Sequence, residues 1–190
     1  MQKISIIPNM NLFSVSHSDL IKEEEANRIE GLVKLGIDID KKYQRGETLL
    51  FQASARGNFR AVKILLEHNA DPNILNIYGS SALYEAVSGN HDDRIPMILI
   101  SNGAKSHHGR RAGFPILWMA AHLGKAHLIE PLLSAGSDIN EVCIRPIFGG
   151  KSTPLDAAVS SNNKETIDKL MSLGALFYAE NNVFDIRRKA

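Results

Sequence analysis

Aromatic residues are scarce: seven Phe, four Tyr and one Trp in 190 residues. That is thin filling for a β-sandwich or barrel, whose cores draw on large rings. Cysteine is almost missing. Cys143 stands alone, so no internal disulfide and no multi-cysteine zinc site can form, and a reducing compartment is the natural home. Net charge is nearly nil, with 22 Lys and Arg against 21 Asp and Glu. A broad electrostatic binder of nucleic acid carries a clear basic excess, so that class is disfavoured. Long apolar runs are absent too. At the N-terminus the stretch Ile4–Ile7 contains Ser5 and stops at Pro8, whereas a signal peptide needs an apolar core of about 7–15 residues. Ile95–Ile100 and Leu128–Leu133 fall far short of the roughly 20 residues that span a bilayer. A cytoplasmic protein without a membrane segment is the expectation.

What is present is periodic. Thr48-Leu49-Leu50-Phe51-Gln52-Ala53 leads to Arg56-Gly57-Asn58, then Val62, Leu65-Leu66 and Asn69-Ala70-Asp71-Pro72-Asn73. From Ser81 the chain gives Ala82-Leu83-Tyr84-Glu85-Ala86, Ile98-Leu99 and Gly103-Ala104. From Pro115 it gives Ile116-Leu117-Trp118-Met119-Ala120-Ala121, Gly124, Leu132-Leu133 and Gly136-Ser137-Asp138-Ile139-Asn140. From Thr153 it gives Pro154-Leu155-Asp156-Ala157-Ala158, Asn162-Asn163, Leu170-Met171 and Gly174-Ala175. The starts are 33, 34 and 38 residues apart, a spacing typical of solenoid repeats. A weaker copy lies upstream, where Ile29, Leu32-Val33 and Gly36-Ile37-Asp38-Ile39-Asp40 match at an offset of 33. There Ser18 and Asp19 offer helix caps ahead of Leu20-Ile21-Lys22-Glu23-Glu24-Glu25.

The pattern explains itself physically. Small Ala53, Ala86, Ala120 and Ala158 let two antiparallel helices approach closely, and the Leu pairs form an apolar stripe on the second helix. The recurring Gly positions fall where helices must stop. One such unit cannot bury its own apolar face, so neighbours must stack.

Each phrase resembles the ankyrin repeat: a Thr-Pro-Leu-His-x-Ala-Ala first helix, a Gly turn, a Val-x-x-Leu-Leu second helix and a Gly-Ala-Asp-x-Asn hairpin. The resemblance covers roughly residues 16–178. It implies an all-α ankyrin solenoid of five helix–turn–helix repeats with short β-hairpin-like fingers. One domain over 1–190 is expected, with a degenerate N-terminal cap at 16–40, copies at 46–73, 79–107, 113–140 and 151–178, and a tail at 179–190. The departures are specific. The family's inter-repeat hydrogen-bonding His is replaced by Phe51, Tyr84, Trp118 and Asp156, so ring packing is expected to stand in for much of that ladder. Pro96 falls early in its helix, where it is tolerated; Pro131 sits deeper and should bend its own. Glu141–Lys151 enlarges one hairpin.

Chemistry has little to build on. Phe148-Gly149-Gly150-Lys151-Ser152-Thr153 has the tail of a phosphate loop, but Arg145 stands where the first Gly is needed, and a hairpin turn accounts for it. Adjacent side chains of His107 and His108 diverge and lack further ligands, while His122 and His127 are separated by a helix-ending Gly124. No nucleophile elbow, zinc motif or carboxylate pair occurs. The reading is of no enzyme, no cofactor, no metal and no small-molecule substrate. Glu23-Glu24-Glu25 reads as a solvated helix face, and Arg187-Arg188-Lys189 as a tail.

By the resemblance, finger tips and exposed first-helix positions form a concave surface that binds proteins. Gln44, Arg45, Glu47 and Arg56, then Ile77, Tyr78 and Ser80, then Arg110, Arg111, Phe114 and His122, then Ile147, Phe148, Lys151, Ser152, Ser160 and Ser161 fall there. Of these, Arg45, Arg56, Tyr78, Arg110, Arg111, Phe114, His122, Ile147 and Phe148 are the partner-binding candidates. Tyr78, Phe114 and Phe148 are expected to put rings on successive tips, and exposed aromatics with Arg are typical hot-spot residues. Lys105-Ser106-His107-His108-Gly109-Arg110-Arg111 carries three fixed positive charges and no carboxylate, which favours a partner protein with an acidic patch and argues against a very basic nuclease as target. Trp118 is assigned to the core. The resulting expectation is a non-catalytic binder that inhibits or occludes its partner, such as an immunity protein against a cognate toxin. Its rivals are a scaffold or host-targeting effector that recruits without inhibiting, and a nucleic-acid binder acting through the basic finger.

Overall fold

The computed structural model describes residues 19–89, 92–107, 113–145, 150–179 and 182–184. Nine α-helices lie among them: α1 Asp19–Lys34, α2 Leu49–Ala55, α3 Phe59–Glu67, α4 Ala82–Ser88, α5 Arg94–Ser101, α6 Ile116–His122, α7 Ile129–Ser134, α8 Pro154–Ser160 and α9 Lys164–Ser172. They stand in two rows. First helices α2, α4, α6 and α8 pack side by side, and so do second helices α1, α3, α5, α7 and α9. Two antiparallel hairpins complete the set, β1 (Cys143–Arg145) with β2 (Gly150–Ser152) and β3 (Phe177–Ala179) with β4 (Asn182–Phe184).

Local chemistry starts and stops the helices. Thr48, Ser81 and Thr153 each accept a bond from the backbone N–H three residues on, capping α2, α4 and α8. Thr153 and Asp156 form a full capping box, which satisfies two otherwise orphaned donors. Second helices end by one repeated device. At Asn69, Gly103, Gly136 and Gly174 the chain turns left-handed, and the next residue donates back into the helix: Ala70 to Leu65, Ala104 to Leu99, Ser137 to Leu132 and Ala175 to Leu170, each at 3.0 Å. That pairing is the Schellman closure.

Leucine recurs through the core in both rows of helices. Leu83, Leu117 and Leu155 of the first helices and Leu65, Leu99, Leu132 and Leu170 of the second have no exposed surface, each burial being worth about 1.5–3 kcal/mol. Ala53, Ala86, Ala120 and Ala158 are buried where the helix rows meet. Pro96 lies in the first turn of α5. The second helix of the fourth copy is divided into a 3-10 turn, Ala126–Leu128, and the short α7, with Pro131 in the first turn of α7.

The first copy departs from the expectation of two helices. Its described part is one 16-residue helix, α1. At the offset of 33, Glu23-Glu24-Glu25 occupies the place of Arg56-Gly57-Asn58. Without a Gly at that point there is no cheap left-handed turn, and three good helix formers carry the helix straight on. Glu25 also corrects the reading of this triplet as a solvated face. Glu23 and Glu24 are exposed, but Glu25 is buried, and Glu23 pairs with Arg60 of α3.

Successive copies are tied at the finger bases. Asp40 Oδ1 accepts from Asp71 N at 2.9 Å, Asn73 Oδ1 from Lys105 N at 2.9 Å, and Asn140 Oδ1 from Leu176 N at 2.8 Å. His107 takes the corresponding place in the third copy, with Nδ1 2.8 Å from where a Cβ on Gly136 would be.

Candidate functional site

The fingers carry the candidate residues. In the first, Tyr43 N donates to Glu47 O at 2.8 Å and the tip is the turn Gln44–Gly46. In the second, Asn76 N donates to Ser80 O at 3.0 Å, and Asn76 Oδ1 accepts from the backbone N–H groups of Tyr78 and Ser80 at 3.0 and 2.9 Å. The two fingers are joined directly, since Ile77 N donates to Arg45 O at 2.9 Å. Ile77 lies over Gly46, where an added Cβ would stand 3.2 Å from both the Ile77 side chain and its amide nitrogen. Arg45 itself holds a left-handed φ of 62°, a conformation that costs a non-glycine residue of order 1 kcal/mol or more.

Register decides which side chains reach the tips. Gly46, Gly79 and Gly113 all have positive φ, and each sits two residues before the N-cap of α2, α4 or α6. Arg45 and Tyr78 therefore share the tip position. Phe114 does not; it aligns with Glu47 and Ser80 at the finger base. This corrects the expectation of a ring on that tip. Phe114 is half-buried and packs on Trp118 with ring centroids 5.0 Å apart. Trp118 in turn stacks on His122 at 5.1 Å and 19°, so the three rings run down α6 at helical spacing. Trp118 is 5% exposed, a core residue as assigned.

The family's hydrogen-bond ladder survives more than ring packing alone would suggest. Trp118 Nε1 donates to Ser152 Oγ of the next copy at 2.8 Å. Asp156 Oδ2 accepts from Tyr178 N at 2.9 Å beyond its own copy. Indole and carboxylate thus do across the boundary what imidazole does elsewhere.

Exposed His122 closes the α6 column with Ser161 Oγ 2.6 Å from its Nδ1. His127 faces Asp93 Oδ2 at 3.4 Å instead, so the two histidines answer to different neighbours. Gly124 between them has φ +74° and leaves room for Asn163, whose Oδ1 would lie 2.7 Å from a Cβ there. Asn163 Nδ2 donates to His122 O at 2.9 Å. Arg56 is half-buried at the C-cap of α2. Arg110, Arg111, Ile147 and Phe148 lie outside the described residues. The segment that echoed a phosphate loop supplies strand β2 at Gly150–Ser152. Among the described residues no group of three His, Cys, Asp or Glu is arranged to hold a metal ion, and no helix is long and apolar enough to cross a membrane.

Two exposed apolar side chains add to the nine candidates: Ile77, expected on the binding surface, and Ile144, which was not. Ile77 is 69% and Ile144 62% exposed, beside Tyr78 at 58%. The signal for Ile77 was in the sequence, one residue ahead of the tip. Ile144 follows from strand alternation, since it pairs with exposed Lys151 while Cys143 and Ser152 are buried.

Ion pairs among the described residues gather on the second-helix side. The ion pairs Arg60–Glu30, Lys34–Glu30, Lys63–Glu67, Arg94–Asp92, Lys125–Asp93 and Lys169–Glu130 all lie on the second helices or the turns into them. The Lys34 ammonium holds the Glu30 carboxyl below its ordinary range, by hydrogen bond first and by charge second. On the fingers Lys41, Arg45, Lys105 and Lys151 are exposed and pair with no carboxylate among the described residues. Lys41 and Lys151 rest near rings instead, 5.8 Å from the centroids of Tyr43 and Tyr178. Burial, then the Asp38 carboxylate, pushes the Tyr43 phenol up, which keeps it neutral.

Comparison with known proteins agrees with this geometry. The family described as ankyrin repeats (3 copies) matches residues 21–110. An ankyrin repeat protein of Rickettsia felis is 31% identical over 137 residues, 68% of this chain and 42% of that protein. Neurogenic locus notch homolog protein 1 of Xenopus tropicalis is 30% identical over 168 residues, 87% of this chain but 6% of that protein. The human protein of the same name is 32% identical over 164 residues, again 6% of its length. The chain thus spans less than half of each of these relatives. A period near 33 residues, paired helices closed by left-handed turns and side chains bonded across each finger base have one common source: the chain is an ankyrin-repeat protein.

Proposed function

We propose that the chain is a non-catalytic module that binds another protein through its fingers and the adjoining first-helix surface. The observation that carries this is the distribution of ion pairs and apolar surface. Among the described residues the finger cations Lys41, Arg45, Lys105 and Lys151 have no carboxylate partner and share the fingers with exposed Ile77, Tyr78 and Ile144, whereas the ion pairs lie on the opposite row. Aromatic, aliphatic and cationic groups exposed together are the composition of an interface hot spot. Their sign favours a partner with an acidic patch.

The backbone supports rigid docking. Fingers bonded to one another and to the helix ends lose little conformational freedom on binding, so more of the interaction free energy appears as affinity. A stable complex would bury around 1,600 Å² in total. A surface of that size, laid over a partner's working face, blocks it. Occlusion, as by an immunity protein on its toxin, is therefore our narrower reading; recruitment without inhibition is the alternative.

Affinity capture from the native organism followed by mass spectrometry tests the proposal, with Arg45→Ala/Ile77→Ser/Tyr78→Ala/Arg111→Ala as control bait. The wild type should enrich a partner that the variant loses, with melting temperatures within about 2 °C, as for surface changes of under about 0.5 kcal/mol. Equal capture by both baits would refute the finger assignment. Loss of the partner's activity at one-to-one stoichiometry would mark inhibition, and full activity in the complex would mark recruitment.

A further inference from the structure

The first two fingers form a tighter unit than a general docking surface requires. Arg45 and Ile77 are locked together by the 2.9 Å bond between Ile77 N and Arg45 O. Ile77 approaches Gly46 so closely that a Cβ there would stand 3.2 Å from its side chain and its amide nitrogen. Tyr78, next along, stands 58% exposed at the position equivalent to Arg45. A cation, an aliphatic side chain and a phenol ring thus sit at fixed spacing across two bonded turns.

Around this unit the carboxylates are tied into the fold by hydrogen bonds, whereas the Arg45 side chain, among the described residues, is not. The nearby carboxylates already serve the fold: Asp38 accepts from Asp40 N at 3.2 Å, Asp40 from Asp71 N at 2.9 Å, and Glu47 from Gln52 Nε2 at 3.3 Å. Of the nearby cations, Lys42 donates to Leu75 O at 3.3 Å and Lys41 lies near the Tyr43 ring. The Arg45 guanidinium has no hydrogen bond or ion pair among the described residues. It is held out at a left-handed backbone position that a glycine would occupy at less cost.

We propose that Arg45, Ile77 and Tyr78 are the anchor point of the interface, and that they take a linear protein segment in which a carboxylate neighbours a large apolar side chain. The carboxylate meets the Arg45 fork, which is shaped for bidentate pairing. The apolar neighbour covers Ile77 and the Tyr78 ring. This rests on the protein-binding reading and names the chemistry of the partner.

Selection of a phage-displayed library of random linear peptides on the 190-residue chain tests it. Recovered peptides should place Asp or Glu next to Phe, Tyr, Trp, Leu or Ile. Arg45→Glu should shift that preference to Lys or Arg. Ile77→Ser/Tyr78→Ala should weaken the recovered peptides on the order of tenfold or more, a hot-spot loss, with unchanged circular dichroism and melting temperature.

Recovery of the same peptides by the Arg45→Glu and Ile77→Ser/Tyr78→Ala variants would place the anchor elsewhere and leave the protein-binding reading standing. Peptides without acidic enrichment, or no peptide above background, would overturn the anchor in the same way. Binding of a single-stranded oligonucleotide, lost with salt and with Arg45→Glu, would overturn both readings.

Discussion

Thr166 is wholly buried, and its hydroxyl has no hydrogen-bond partner among the described residues. Its counterparts in the preceding copies are Ala61, Ile95 and Leu128, all buried without a polar atom. An unsatisfied buried hydroxyl carries a desolvation cost that an isosteric methyl does not. Thr166→Val should therefore stabilise the chain by about 1 kcal/mol, raising the melting temperature by roughly 2–4 °C. An unchanged or lowered midpoint in thermal denaturation would mean that a water satisfies the hydroxyl. Single residues were legible where the cause is local. Thr48, Ser81 and Thr153 cap because a short side-chain oxygen reaches the backbone three residues on, whatever lies outside. Glu25 was not legible, because its burial depends on which side of α1 meets the rest of the array. Phe114 was misplaced although its signal was present: the left-handed glycines at 46, 79 and 113 set the finger register, and Phe114 lies just beyond one.

At the scale of elements, α6 and α8 are joined by more than apolar packing. The bond from Trp118 Nε1 to Ser152 Oγ crosses the boundary between their copies inside the core. Trp118→Phe keeps a ring over Phe114 and His122 but removes the donor to Ser152 Oγ, which should cost about 1–3 kcal/mol. Ser152→Ala strands the indole N–H at similar cost. The double variant should lose less than the sum, and chemical denaturation of all four proteins measures the coupling. Strict additivity would show that the bond contributes nothing. The helix pairs themselves were readable from the period of apolar residues and the Gly stops. The union of two expected helices into α1 was harder to see, because the repeat offset argues for a turn at Glu24 that only the missing glycine contradicts. The enlarged hairpin was visible as an insertion. Its strand register was not, since a Gly-Gly-Lys-Ser sequence does not say which residue faces which.

Across the whole molecule, stability should be graded. In a stacked array each copy is held by its own folding and by its neighbours. Val159 is 44% exposed, although its counterparts Ser54, Val87 and Ala121 are at or near zero. Among the described residues no further helix pair covers that side of α8. Native-state hydrogen exchange should accordingly show the greatest protection in α4 and α6 and the least in α9 and the β3–β4 hairpin, with α8 between. Uniform protection from α4 to α9 would instead mean that the array opens only as a unit. The boundaries between copies have another consequence. The asparagine at 163 fits because the copy before it has glycine at 124, and the indole at 118 needs the serine that begins the copy after it. A duplicated fourth copy set in place of the fifth would present Phe114 to that indole, and a ring cannot accept its proton as the serine does. The copies share one architecture yet are not interchangeable modules. At the boundary between the fourth and fifth copies order matters, because exchanging the two would preserve every helix and still lose both of these contacts.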